Sequence, residues 1–140
     1  IGPDGEKHRP IMIHRVIFGS IERFIGILIE HCAGKFPLWL APVQVRLMTV
    51  TEKFSDYALQ LKEKLTEAGL RVEADVRNEK IGYKLREARN QRVNYMCVIG
   101  EREVEDGTLS VRSSKEGELG SMSVDDFVSK LAEEIKTKKM

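Results

Sequence analysis

The stretch LRVEADVRNEKIGYKLREARNQRVNYMCVIG, Leu70 to Gly100, decides the fold. Its first seven residues alternate apolar and polar, as a strand with one buried face does. From Lys80 to Arg92 the apolar residues Ile81, Leu85 and Ala88 recur at helical spacing. YMCVIG then forms a short continuous apolar run, the pattern of a central strand covered on both faces. Strand, helix and strand in thirty residues predict a parallel pair joined by a crossover helix.

The same logic extends both ways. Upstream, VQVRLMTV alternates as a strand, and Phe54 to Ala68 is an amphipathic helix stopped by Gly69. Downstream, TLSVRS and GELGSMS read as two more strands, the second at an edge. Val124, Phe127, Val128, Leu131 and Ile135 give the stripe of a last helix, which Ser123 caps. The expected fold class is α/β: a mixed five-stranded sheet with three helices, over residues 41–140.

Residues 1–40 read differently. IMIHRVIF is loosely alternating and rich in β-branched residues, so a strand is expected there. Gly19-Ser20 breaks it, and Ser20 can cap the helix IERFIGILIEHCAG. That helix is apolar on most of its surface and wants burial on several sides. Pro37 and Pro42 bracket Trp39 in an extended, stiff connector, where the domain boundary is placed.

Composition excludes several classes. The 140 residues are 41% hydrophobic and 32% charged, with a formal net charge of +1. That is a globular mixture without a global basic field. Cys32 and Cys97 form no CxxC pair, so a disulfide framework is not expected and a reducing compartment fits. No apolar run reaches the roughly 18 residues of a membrane span. The first residue is Ile1, so the chain is expected to be processed or cut from something longer.

Charge is concentrated locally. Val76 to Arg92 holds Arg77, Lys80, Lys84, Arg86, Arg89 and Arg92 against Glu79 and Glu87, a local charge of +4. A loop ending in Asn78 that feeds a basic helix suits phosphate, because free N–H groups point outward at a helix start. A solvated helix face laced with ion pairs fits equally well. Glu101, Glu103, Glu105 and Asp106 repel phosphate but accept bonds from base amino groups, and Arg112 can donate two bonds to a guanine edge. Alternatively, these residues form a charged surface turn with an edge-strand arginine. His14 has no partner at ligand spacing, and a satisfied core histidine is the simpler reading. Arg23, in an apolar helix, needs a carboxylate, a phosphate or open solvent.

RPIMIHRVIFGSIERFIGILIEHCAGKFPLWLAPVQV resembles the end of the catalytic core of threonyl-tRNA synthetases of the bacterial type. DVRNEKIGYKLREARNQRVNYMCVIGEREVEDGTLSVRS resembles their C-terminal anticodon-binding domain, the fold shared by class IIa enzymes. The resemblance implies that GSIERF is the third class II motif, with Arg23 contacting ATP and Ser20 beside it. It implies that His14 is one of three zinc ligands. It implies that Asn78, Glu103 and Arg112 read anticodon bases, with Lys80, Arg86 and Arg92 on the RNA side. The implied partners are the anticodon stem-loop of tRNA(Thr), the rest of the synthetase and, for the intact enzyme, a second copy. The implied compartment is the cytoplasm or an organellar matrix. The first two class II motifs, the other zinc ligands and the editing domain are not in the sequence. The chain alone is therefore expected to bind tRNA, to hold neither zinc nor ATP with magnesium, and not to catalyse. An accessory or assembly module on the same fold is the competing expectation.

Overall fold

The computed structural model describes residues 1–139. Three parallel strands carry it: β1 (Val45–Thr49), β2 (Val72–Asp75) and β3 (Tyr95–Ile99). A 3-10 turn (Glu52–Phe54) and helix α2 (Ser55–Glu67) connect the first two, and α3 (Ile81–Asn90) connects the next. The short helix α4 (Glu101–Asp106) reverses the chain into β4 (Thr108–Ser113), followed by β5 (Gly117–Ser123) and α5 (Val124–Lys136). Both late strands pair antiparallel, giving the order β2-β1-β3-β4-β5. An N-terminal helix, α1 (Ile21–His31), precedes all of these.

The two faces of the sheet are covered unequally. On one, Val45, Leu47, Cys97, Ile99, Leu109 and Val111 form a single apolar cluster with Leu61 and Leu65 of α2 and Phe127 and Leu131 of α5. On the other, α3 sets Ala88, Ile81 and Leu85 against Met48 and Met96. That helix packs on β1. It leaves the second face of β4 open, so Leu109, Val111 and Ser113 are buried while Thr108, Ser110 and Arg112 are only partly covered.

The expected five-stranded sheet and its three long helices are all present, with β4 on the residues the alternation assigned and β5 at the edge. Three expectations need correction. First, no strand forms over residues 11–18; the segment is irregular and exposed. A strand exists only through a ladder, and all five strands of the described sheet lie between Val45 and Ser123. Second, the acidic segment read as a turn is α4, closed by Gly107 in the left-handed conformation (φ 64°). Third, the connector is not extended. Leu40 and Ala41 N–H both bond Pro37 O, and Leu38 is fully buried in the main apolar cluster. Arg71 Nε donates to Ala41 O at 2.8 Å, and Gln44 Nε2 to Leu38 O at 2.8 Å. Residues 36–41 therefore pack with the sheet domain.

Candidate nucleic-acid interface

Alternation in β4 puts Arg112 on the open face, half-buried, where Nη2 donates to Glu118 Oε2 of β5 at 3.1 Å. Beside it lies a groove of about 540 Å³ lined by Lys35, Arg89, Arg92, Arg112 and Lys115, with no carboxylate among its described lining residues. Five cations around one concavity concentrate a positive potential that the near-neutral chain lacks as a whole.

Arg92 enters this groove through an unusual backbone. The Val93 N–H bonds Ala88 O at 3.1 Å and the Arg92 N–H bonds Arg89 O at 3.0 Å, the two bonds of a Schellman helix end. The residue just past such an end is normally glycine, yet here it is arginine at φ 60°. Arg86 is exposed in the middle of α3.

The other end of α3 holds Asn78 and Lys80, both exposed. Lys80 occupies the N-cap position, and no side chain caps the free N–H groups there. The loop is anchored by Asp75, whose carboxylate accepts from Arg77 N at 3.2 Å, Nε at 2.9 Å and Nη2 at 2.6 Å. The hydrogen-bonded Arg77 guanidinium holds the Asp75 carboxyl below its ordinary pKa, against the effect of burial. Arg77 also bonds Glu87 of α3.

Glu103 sits in the first turn of α4, where Oε2 accepts from the Gly100 N–H at 2.9 Å. One carboxylate oxygen thus closes the helix start and the other is left over. Asn78 and Glu103 follow β2 and β3 at the carboxyl ends of the parallel strands, where open α/β sheets place their ligands. Arg112 pairs with Met96, three residues before Ile99, so it lies roughly 10 Å back along the sheet. The three residues are spread along the sheet rather than gathered in one pocket, while Arg92 and Arg112 share the groove.

Sequence reasoning misjudged Lys84. Counted with the basic side of α3, it is 1% exposed and points into the protein. The available signal was its place between Ile81 and Ala88 on the inward stripe. Arg89 was counted in the basic cluster without a role of its own, and Lys35 and Lys115 were not singled out. Lys35 and Lys115 lie far from the others in sequence, and only the fold gathers them.

The N-terminal candidates stand elsewhere. Ser20 caps α1, its Oγ accepting from Arg23 N at 3.4 Å, and the Arg23 side chain is exposed. His14 is exposed, with Nε2 2.9 Å from Met12 Sδ, so it is not a core histidine. Among the described residues no group of three His, Cys, Asp or Glu side chains is placed to hold a metal. A zinc site needs three or four ligands, and among the described residues His14 has no such set around it. No described helix is long and apolar enough to cross a membrane.

Residues 44–134 match the family described as the anticodon binding domain. The threonine–tRNA ligase of Clostridium acetobutylicum is 63% identical over 138 residues, 99% of this chain and 22% of its own length. That of Acetivibrio thermocellus is 62% identical over the same span. The crystal structure of the RNA binding domain of threonyl-tRNA synthetase from Cryptosporidium parvum Iowa II superposes with a TM-score of 0.77 at 33% identity. That match covers 86% of this chain and 30% of the other. The chain spans about a fifth of the length of the curated relatives it matches. It belongs to the anticodon-binding domain family, in the form found in threonine–tRNA ligases.

Proposed function

We propose that this chain recognises the anticodon stem-loop of tRNA(Thr) for a ligase that joins threonine to that tRNA with ATP. The observation that carries the reading is the open sheet face with Arg112 beside a five-cation groove. Loop bases of RNA are read unstacked, by hydrogen bonds to their edges, while cations hold the backbone. Arg112 keeps donors beyond the one given to Glu118, Glu103 keeps an acceptor oxygen, and Asn78 offers both kinds. These three take the bases. Lys80, Arg86 and Arg92, with Arg89 and Lys115, take the phosphates.

In the intact ligase, His14 would supply one zinc ligand and Arg23 an ATP contact. The other groups those sites need would come from outside these 140 residues, and a second copy would complete a homodimer. The chain alone binds RNA without activating threonine. Affinities for stem-loops differing at single anticodon bases test the proposal. Binding that ignores every anticodon substitution would instead favour an assembly module on the same fold.

A further inference from the structure

We propose that Lys84 and Arg77 are positioning residues that preset the turn presenting Asn78; the inference rests on the anticodon-reading function above. Lys84 lies on the inward stripe of α3 at 1% exposure, and lysine is almost never buried without partners. Its Nζ donates to Thr49 O at 3.0 Å and to Asp75 O at 3.1 Å, with Thr49 Oγ1 at 3.5 Å. Thr49 and Asp75 are the last residues of β1 and β2. The ammonium therefore ties two parallel strand ends together at the point where the Asn78 loop departs.

The tie continues into the loop. The Asp75 carboxylate, 4.0 Å from Lys84 Nζ, takes the backbone N–H of Arg77 and two of its guanidinium donors, on Nε and Nη2. The same Arg77 Nη2 also bonds Glu87 of α3. With Arg77 fixed, its carbonyl accepts the Glu79 N–H at 2.9 Å. This i to i+2 bond closes a γ-turn with Asn78 at its centre. Asn78 is absent from the positive-φ residues, so the turn is the relaxed inverse form. A methionine would fill the Lys84 site without the cost of desolvating an ammonium. What the ammonium adds is direction: it aims two carbonyls and a carboxylate. A side chain held before binding loses less freedom when RNA arrives, so the gain appears in base discrimination.

The test uses the whole chain, with stem-loops carrying each single anticodon substitution, for wild type and the Lys84→Met, Arg77→Ala, Asn78→Ala and Arg112→Ala variants. Lys84→Met and Arg77→Ala should each lose about tenfold in discrimination at the anticodon position that Asn78→Ala flattens. Both should keep discrimination at the Arg112 position and the wild-type salt dependence. Uniform loss at all positions, or unchanged discrimination, overturns the inference while leaving the anticodon reading intact. A wild type blind to every substitution overturns that reading and the inference with it. The Arg77 side chain is half-exposed, so Arg77→Ala decides the matter even where Lys84→Met fails to fold.

Discussion

Arg112 and Arg92 share one groove but carry different expectations. On the proposed reading Arg112 meets a base edge, and a bidentate arginine contact is worth about 1–3 kcal/mol of discrimination. Arg112→Ala should therefore relax selectivity at one anticodon position, and equal losses for cognate and altered stem-loops would refute that role. Arg92 holds a left-handed conformation that costs an L-residue roughly 1–2 kcal/mol. Glycine relieves that strain but loses more chain entropy, about 0.4–1 kcal/mol. Arg92→Gly should thus raise stability in urea by about 0.5–1 kcal/mol while weakening every stem-loop. A more stable protein that binds as before would mean the strain serves no RNA contact. Single positions were also where the sequence was hardest to read. The inward turn of Lys84 was hidden by its charge, and the capping bond of Glu103 by its acidic neighbours.

At the scale of elements, legibility followed the length and regularity of the apolar pattern. β4 and α5 alternate or repeat cleanly, and the structure places them as read. α4 has six residues with Val104 as its only apolar side chain, too few for a period to show. Its signal was local: Gly100, Glu103 and Gly107 at the spacing of a helix start and stop. The segment 11–18 shows the converse, β-branched residues with no neighbouring strand to pair. The β2–α3 junction carries a pH prediction. Asp75 has a folded pKa held below its unfolded value by Arg77. Its stabilisation is complete above the unfolded pKa of about 4 and lost as pH falls through the folded value. Asp75→Asn should therefore shrink the acid slope of stability, measured by urea unfolding from pH 7 to 2. It should also cost about 3 kcal/mol at neutral pH, because Lys84 keeps its buried charge without a carboxylate. α1 buries none of its residues, so deleting residues 1–34 should leave the thermal midpoint of the sheet domain unchanged. A large drop would show that the helix supports the sheet.

For the whole molecule, a net charge of +1 means that no long-range field draws RNA to every side. Salt dependence must then come from phosphates met at the cations along α3 and its groove. Lys80 stands at the helix start, Arg86 on its flank, and Arg89 and Arg92 at its end, which ten residues place about 15 Å away. Lys115 reaches the same groove from the β4–β5 turn. Each phosphate met on a single strand lowers the slope of log K against log salt by about 0.7, so five contacts predict roughly −3.5. Lys80 is exposed and caps nothing with its side chain, so its removal should not disturb the fold. Lys80→Ala should flatten the slope by about 0.7 and weaken all stem-loops by the same factor, whatever their anticodon. Affinity titrations from 50 to 300 mM salt with cognate and altered stem-loops check both parts. An unchanged slope would remove Lys80 from the phosphate path. A loss confined to one anticodon would make it a base reader, and the division of labour along the sheet would have to be redrawn from that end.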